Sequence, residues 1–223
     1  AYSMAVDAQG RILVAGSMVL ISTGASIGFV TRILPDGWID PVFGINGFYL
    51  EFGMETGVTA VGVDPSGPIW LLGRLLADGT GWWIFQLLDT VGNPTDNRAL
   101  TFPGYGFETT IPTAMAFQPD GNVLLGGWGK TGSPDFLASM AVARILGSTL
   151  NLDPAFVGGG TGELVITDFE SAYLRSIAFQ PDRSIVVAGE YGLLNQENLV
   201  VTRLSPDGTL SNAFTEYVAF DIG

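Results

Sequence analysis

One apolar segment that ends in glycine occurs four times in the chain, and this repetition constrains the fold more than any other feature. The four copies are MAVDAQGRILVAG (4–16), VGVDPSGPIWLLG (61–73), AFQPDGNVLLGG (116–127) and AFQPDRSIVVAG (178–189). They end at Gly16, Gly73, Gly127 and Gly189, which follow one another at intervals of 57, 54 and 62 residues. A period of this size indicates that each copy belongs to one supersecondary unit of a repeat protein.

Two further segments follow each copy in the same order. The second segment reads FVTRILPDG (29–37), IFQLLDTVG (84–92), AVARILGST (141–149) and VVTRLSPDG (200–208). The third reads IDPVFG (39–44), LDPAFV (152–157) and LSNAF (210–214), and it is barely recognisable in the second unit. Val, Ile, Leu and Phe dominate these segments, and Gly, Pro, Asp and Asn separate them, as is typical of short strands and turns. We predict units at about 1–57, 58–112, 113–173 and 174–223, each of four antiparallel strands.

The second strand of each unit is apolar on both faces, which a strand in an open antiparallel sheet is not. Four-stranded units whose inner strands are buried on both sides are typical of the blades of a β-propeller. We therefore predict an all-β protein in which 1–223 form a single β-propeller domain of four blades. The alternative is that the chain is part of a larger propeller completed by another chain.

The composition excludes several classes of function. Nine Lys and Arg residues against 22 Asp and Glu residues give a net charge of −13, which disfavours binding to nucleic acid. The longest nearly apolar run, residues 12–22, is too short to span a membrane. The absence of His and Cys removes histidine-dependent catalysis, thiol nucleophiles and the usual zinc sites. An acidic, lysine-poor, cysteine-free chain favours an extracytoplasmic bacterial protein, and a first residue other than Met suggests a trimmed or mature chain.

The ordered segments resemble the delta-60 repeat, a group of bacterial β-propeller domains of unknown function. The first unit carries the pattern in 10–16, Arg32, 36–37, Asp40 and 43–44, and the third carries it in 117–121, 143–145 and 152–156. The second unit departs most, because Gln86 stands in the place of the arginine. The resemblance covers essentially the whole chain and implies the propeller fold, but it supplies no catalytic motif.

Arginine recurs inside the apolar third strand, at Arg32, Arg144 and Arg203. One interpretation is a ring of cations that lines a channel and binds an anionic ligand. The other is a structural ion pair within each repeat, between Arg32 and Asp40 and between Arg144 and Asp153. We favour the ion pairs, because a ligand site does not need the same residue in every blade.

Acidic residues lie at or near the first hairpin turn of each unit. Oxygen ligands of this kind suit calcium, but no D-x-D-x-D-G run occurs, so we predict turn-forming residues and no cofactor, with calcium as the alternative. In the fourth unit Arg183 replaces the turn glycine, which predicts a strained turn or a different turn type. The acidic residues are Asp7, Asp64, Asp120 and Asp182.

The candidate binding residues are Trp82, Trp128, Tyr191 and Glu190. Trp128, Glu190 and Tyr191 follow a repeat glycine, which we expect to end the second strand and so to place them near the loop to the third. Such aromatic side chains could form platforms on which sugars stack.

Catalysis would have to use carboxylates, since a glycosidase needs two of them on either side of the sugar bond. None of the available glutamates departs from the repeat pattern in a way that marks a recruited catalyst, so we predict no catalytic residue. The leading hypothesis is a non-enzymatic binding or scaffold module for a protein or glycan partner, or a structural subunit of a larger surface assembly. The alternative is a carbohydrate-active enzyme that uses a carboxylate pair in the propeller funnel. The available glutamates are Glu51, Glu108, Glu163, Glu190 and Glu197.

Overall fold

The computed structural model describes residues 1–51, 57–77, 80–102, 105–132, 137–158, 160–167, 171–192 and 198–218. These residues form sixteen strands and a single 3-10 turn at Phe156–Gly158. The strands are β1 Ser3–Val6, β2 Ile12–Val19, β3 Ser26–Ile33, β4 Phe48–Glu51, β5 Val58–Val63, β6 Ile69–Ala77, β7 Thr80–Leu88, β8 Pro94–Leu100, β9 Phe107–Phe117, β10 Val123–Thr131, β11 Ala138–Ile145, β12 Glu163–Ile166, β13 Ala172–Phe179, β14 Ile185–Tyr191, β15 Asn198–Leu204 and β16 Leu210–Val218. In the part of the chain that is described, no helix is long and apolar enough to cross a membrane.

The strands form four antiparallel sheets of four strands each, in the orders β1–β4, β5–β8, β9–β12 and β13–β16. Every strand therefore pairs with its neighbour in sequence, and each sheet is one blade, numbered 1 to 4 below. The predicted all-β propeller architecture of four four-stranded blades is confirmed.

The chain divides into two compact units, residues 1–101 with blades 1 and 2, and residues 102–223 with blades 3 and 4. That 1–223 form one domain stays a prediction. Strands β9 and β13 begin at Phe107 and Ala172. The third and fourth blades therefore start before the predicted limits at 113 and 174.

The prediction that the repeat glycine ends the second strand is wrong. Strands β2, β6, β10 and β14 continue to Val19, Ala77, Thr131 and Tyr191. In blades 2, 3 and 4 the glycine instead pairs across the sheet with the residue before a β-bulge, as Gly189 does with Leu174. A Cβ on Gly189 would lie 2.0 Å from the carbonyl oxygen of Tyr173. A bulge brings the backbone of the first strand close to the second, so the position requires the smallest residue.

Each unit has an apolar core made by its two blades. In the first unit, Leu13 and Val30 of blade 1 pack with Val61, Ile69 and Leu71 of blade 2. The core of the second unit is built at the equivalent positions. Its members include Leu124, Val142, Leu174, Ile185 and Val187.

An arginine, an aspartate and a phenylalanine of blade 1 hold the turn between β7 and β8 of blade 2. The buried Arg32 guanidinium donates from Nε to Asp40 Oδ2 at 2.8 Å and from Nη1 to the carbonyl oxygen of Thr90. Its Cζ lies 4.8 Å from the centre of the Phe43 ring. We call such an arginine, aspartate and phenylalanine a clasp, and the turn that it holds a receiving turn.

Blade 3 holds blade 4 in the same way. Arg144 donates from Nε to Asp153 Oδ2 at 2.7 Å and from Nη1 to the carbonyl oxygen of Pro206 at 2.7 Å. Its Cζ lies 4.7 Å from the centre of the Phe156 ring. We call residues 40–44 and 153–157, from the aspartate to the residue after the phenylalanine, the clasp segments. A backbone N–H of each clasp segment also donates to the receiving turn, from Gly44 to the carbonyl of Val91 at 2.8 Å and from Val157 to the carbonyl of Asp207 at 2.6 Å.

Blades 2 and 4 have no clasp of this kind among their described residues. Their outer strands, β8 and β16, begin soon after the turn, at Pro94 and Leu210, whereas β4 and β12 begin only after the clasp segment. Gln86 replaces the arginine in blade 2, and Ser211 replaces the aspartate in blade 4. The repeats therefore alternate between a blade with a clasp and a blade without one.

Candidate functional site

The structure brings two of the predicted binding residues, Trp128 and Glu190, into one group of side chains in the second unit. The Trp128 and Tyr173 ring centroids are 4.9 Å apart and the rings meet edge to face at 81°. Arg175 Cζ lies 5.9 Å from the centre of the Tyr173 ring. We call Trp128, Tyr173, Arg175 and Glu190 the aromatic cluster.

The Glu190 carboxylate is bound by two nitrogens of the Arg175 guanidinium. Nε of Arg175 donates to Oε1 at 3.1 Å, and Nη2 donates to Oε2 at 3.0 Å. Arg175 is the extra residue of the β13 bulge, between Leu174 and Ser176, which pair with consecutive residues of β14. The bulge lets its side chain reach Glu190, which pairs with Tyr173 across the sheet. Both charged side chains are half-exposed, so the pair contributes little to stability and remains accessible to a ligand.

The aromatic side chains of the cluster are half-buried, and the Tyr173 hydroxyl has a polar neighbour. Ser171 Oγ lies 3.4 Å from the Tyr173 hydroxyl and accepts the backbone N–H of Ala138 at 3.3 Å. The indole N–H of Trp128 is buried and has no hydrogen-bond partner. The cluster thus combines half-buried aromatic surface with an ion pair of zero net charge.

The other two predicted binding residues lie elsewhere. Tyr191 is the last residue of β14 and packs against the core of the second unit. Trp82 belongs to β7 in the first unit, where it pairs across the sheet with Leu75. Trp128, Glu190 and Tyr191 lie in strands and not in the predicted loops, because the second strands continue past the repeat glycines.

Two of the described glutamates are bound by other side chains. Glu190 is bound by Arg175, and Glu51 accepts the Tyr49 hydroxyl at 2.7 Å. Burial and this bond to Glu51 raise the pKa of Tyr49 well above its ordinary value. Glu197 lies outside the described residues.

Glu163 differs from the other glutamates. It is the first residue of the outer strand β12, its side chain is buried, and its Oε1 has no hydrogen-bond partner. Burial raises the pKa of this carboxyl to about 7.

The aspartates of the first hairpin turns bind the backbone of their own turns. Asp7 Oδ1 accepts the N–H groups of Gln9 and Arg11 at 2.9 Å each. Asp182 Oδ1 accepts the N–H of Ser184 at 2.9 Å, and this bond lowers the pKa of Asp182. Asp64 and Asp120 bind their turns in the same manner. Within the described ranges, no group of three or more acidic, histidine or cysteine side chains could hold a metal ion.

The recurring arginines differ in their surroundings. Arg32 and Arg144 are buried in clasps, against the aspartates that the sequence pairs with them. Arg203 is partly exposed, and its Nη2 lies 3.7 Å from Asp182 Oδ2.

Two concavities lie in the first unit. A cavity of about 340 Å³ is bordered by the first hairpin turns of both blades, including Asp7, Arg11 and Asp64. An apolar groove of about 700 Å³ runs beside β4 and is lined by Ile45, Phe48 and other residues. None of the four predicted binding residues lines either concavity.

Tyr173 and Arg175 are the residues of the cluster that are not among the four predicted binding residues. Residues equally distant from a hairpin turn face each other across it, so the turn at 181–183 predicts Leu174 opposite Glu190, and the bulge shifts the pairing by one residue to Tyr173. The bulge that redirects Arg175 has no comparable sequence signal.

Residues 180–214 match a family described as a domain of unknown function (DUF5122) beta-propeller. This match supports a propeller domain of unknown function, and the finer resemblance to the delta-60 repeat stays a prediction. No curated protein has a sequence that matches the chain.

Solved structures share the fold at low sequence identity. A protein of unknown function from Dyadobacter fermentans is 15% identical with a TM-score of 0.56 over 98% of this chain. A mannose phosphorylase from Leishmania mexicana and a GH43_12 from a capybara gut metagenome are each 11% identical with a TM-score of 0.54 over 99% of this chain. The chain spans 63%, 71% and 41% of the lengths of these three proteins, respectively.

Proposed function

We propose that the protein is a non-enzymatic, extracytoplasmic binding module that holds a protein partner through the aromatic cluster. The observation that supports the proposal is the Arg175–Glu190 pair beside the edge-to-face rings of Trp128 and Tyr173. Tryptophan, tyrosine and arginine are the residues that most often dominate the binding energy of protein interfaces. The net charge of −13 favours a partner with a basic surface.

The electrostatics of the cluster favour binding over catalysis. A glycosidase needs one carboxylic acid that can be protonated and a second carboxylate across the sugar bond. The Arg175 guanidinium binds both oxygens of Glu190 and so occupies acceptor sites of this carboxylate. The cluster therefore offers one carboxylate, already bound by an arginine, and not the pair of carboxyl groups that a glycosidase needs.

The alternative function, a carbohydrate-active enzyme, has Glu163 as its best candidate acid, because this buried carboxyl has a pKa of about 7. Its test is turnover on a panel of polysaccharides, compared between the wild type, Glu163→Gln and Glu190→Gln. Turnover that either substitution abolishes would establish the enzyme. Absence of turnover together with an intact partner complex supports the binding module.

The proposal is tested by native mass spectrometry of the tagged protein isolated from its source. We expect the wild type to carry a partner above the chain mass of 23.5 kDa, and Arg175→Ala and Tyr173→Ala to lose it. Arg203→Ala is the matched control, because Arg203 is also a partly exposed arginine of blade 4 but lies outside the cluster. A partner retained by Arg175→Ala would place the interface elsewhere. Binding of the wild type to a glycan array, lost in Tyr173→Ala, would replace the protein partner with a glycan.

A further inference from the structure

A tight turn joins the clasp segment of blade 1 to β4. The Ile45 N–H donates to the Phe48 carbonyl at 2.8 Å, and the Phe48 N–H donates to the Ile45 carbonyl at 3.1 Å. The two residues between them, Asn46 and Gly47, have φ angles of 54° and 89°. Positive φ at both central residues is typical of a type I′ turn, for which Asn-Gly is a preferred sequence. We call residues 45–48 the Asn-Gly turn.

The fold restricts both central positions of the Asn-Gly turn. A Cβ on Gly47 would lie 2.3 Å from Cγ2 of Ile39 and 3.2 Å from the carbonyl oxygen of Asp40, so a residue with a side chain does not fit there. Asn46 lies in the left-handed region, which asparagine adopts more readily than most other residues with a side chain. The Asn-Gly sequence therefore follows from the geometry of the turn.

Asn-Gly is also the sequence at which asparagine most readily loses its side-chain amide, because glycine has no side chain to hinder attack by its own nitrogen. Of the eight asparagines in the sequence, only Asn46 precedes a glycine. The N–H of Gly47 has no hydrogen-bond partner among the described residues. No hydrogen bond therefore has to break at the attacking nitrogen itself, and the turn has only to open for the Asn46 Cα–C bond to rotate.

The loss of the amide takes two steps and consumes only water. The Gly47 nitrogen gives up its proton and attacks Cγ of Asn46. The N–Cγ bond forms and the Cγ–Nδ2 bond breaks, so that Nδ2 leaves as ammonia with that proton. Water then opens the five-membered succinimide ring at one of its two carbonyl carbons. Opening at Cγ gives an aspartate with the normal backbone, and opening at the backbone carbonyl carbon gives an isoaspartate, whose chain runs through Cβ and Cγ.

The isoaspartate lengthens the backbone of the turn by one atom. The pair of hydrogen bonds between Ile45 and Phe48 requires a loop of two residues with the ordinary backbone. The longer loop cannot keep both bonds, so Ile45 or Phe48 must move.

The Asn-Gly turn is connected to the clasp of blade 1 on two sides. Gly44, whose N–H donates to the carbonyl of Val91 in the receiving turn, directly precedes the turn in the chain. Thr31, which precedes the clasp residue Arg32, donates from Oγ1 to the carbonyl oxygen of Gly47 at 2.8 Å. A displacement of the turn therefore reaches both the backbone contact and the arginine of the clasp.

We propose that Asn46 is a site of spontaneous covalent modification, and that the isoaspartate formed there loosens the hold of the blade 1 clasp on blade 2. The site lies within the unit of residues 1–101. The corresponding residues of blade 3, 157–162, contain no asparagine. The modification is independent of the aromatic cluster, whose four residues belong to the second unit.

The first measurement is peptide mapping by mass spectrometry after the purified protein is incubated at neutral and at mildly alkaline pH. We expect the peptide that contains Asn46 to gain about one dalton, and to gain it faster at the higher pH because the Gly47 nitrogen must lose a proton. Labelling with a protein isoaspartyl methyltransferase measures the isoaspartate fraction. Asn122 is the matched control in the same sample, because it closes a hairpin turn but precedes Val123, and its peptide should keep its mass.

The second measurement is hydrogen exchange of single backbone amides by NMR, in fresh protein and in protein enriched in isoaspartate at position 46. We expect the Gly44 N–H to exchange about two- to tenfold faster in the modified protein, as for the loss of one backbone hydrogen bond. The Val157 N–H makes the same contact in the second unit and should exchange equally in both samples. Asn46→Gly keeps the positive φ without an amide to lose, so after incubation it should show neither the mass change nor faster exchange.

Two results would overturn the proposal. One is an Asn46 that keeps its amide in the folded protein over the time in which the same chain loses it in urea. The other is a modified protein in which the Gly44 N–H exchanges as slowly as in fresh protein, or in which the exchange of Val157 increases equally.

Discussion

Arg183 occupies a left-handed turn position at which the first hairpins of the other blades carry glycine. Its φ is 67°, close to the 74° of Gly10 and the 85° of Gly121, and its N–H donates to the Gln180 carbonyl as in the glycine turns. The turn type is therefore kept and the backbone is strained. A left-handed conformation costs a residue with a Cβ about 1–2 kcal/mol, and the greater freedom of unfolded glycine offsets part of this cost.

We expect Arg183→Gly to raise the free energy of unfolding by about 0.5–1 kcal/mol, measured by urea denaturation. Gly121→Arg is the reverse substitution and serves as the control. A Cβ at Gly121 would meet no atom within 4 Å, so only the left-handed backbone conformation disfavours the change. This control should lower the free energy by a similar amount. A stabilising Gly121→Arg would show that side-chain contacts, and not φ, decide the effect.

The buried carboxyl of Glu163 should lower the free energy of unfolding as the pH rises. Its folded pKa of about 7 lies above the unfolded value of about 4.3. Between these two values the folded protein holds a proton that the unfolded chain has released, so the contribution of Glu163 to stability decreases with pH. We expect Glu163→Gln to gain about 1–3 kcal/mol relative to the wild type between pH 4.5 and pH 8. Denaturation at several pH values measures this difference, and a constant difference would contradict the buried, unpaired carboxyl.

At the scale of the structural element, we expect the loss of stability on removing a repeat arginine to depend strongly on whether that arginine belongs to a clasp. Removing one partner of a buried ion pair leaves an unpaired buried charge and costs about 3–5 kcal/mol, whereas an exposed pair contributes about 0–1 kcal/mol. We expect Arg144→Ala to destabilise the protein by several times as much as Arg203→Ala, because Arg144 is buried against Asp153 and Arg203 is not. Thermal or urea denaturation of the two variants compares them directly. Equal effects would mean that the clasp does not hold the two blades together.

The strands could be predicted from the sequence, because apolar runs and turn residues are local signals and they recur in every repeat. The pairing of Arg32 with Asp40 could be predicted for the same reason. The receiving carbonyls of Thr90 and Pro206 were not, because any residue supplies a carbonyl and only the backbone geometry selects it. The strands also continue past Gly16 and Gly189, because these glycines permit a close backbone approach and do not break the strand.

At the scale of the whole molecule, charge decides how the protein responds to ions. A net charge of −13 makes the folded chain repel itself, and salt screens this repulsion. We expect the melting temperature to rise with salt, and CaCl₂ and NaCl to act equally at matched ionic strength, because the turn aspartates are bound to their own backbone. Differential scanning fluorimetry with an EDTA control measures this, and an additional rise that only calcium produces would establish a calcium site.

The fold of the whole molecule was easier to derive than its function, and the reason is physical. Four repeats specify the sheets, but a propeller can hold unrelated sites, so the fold does not select a chemistry. The proposed binding function rests instead on four side chains, Trp128, Tyr173, Arg175 and Glu190. The paired hydrogen bonds between the last two depend on a bulge. A single-residue irregularity of this kind leaves no trace in the repeat pattern.

The clasps also bear on the order in which the blades fold during synthesis. Each closes a contact between residues only 58 and 62 positions apart, and both members of the first contact belong to the unit of residues 1–101. A ribosome adds about 5–20 residues each second, and domains tend to fold as units while they are synthesised. Blades 1 and 2 can therefore join while blades 3 and 4 are still being translated, which shortens the time that their apolar faces are exposed to the cell.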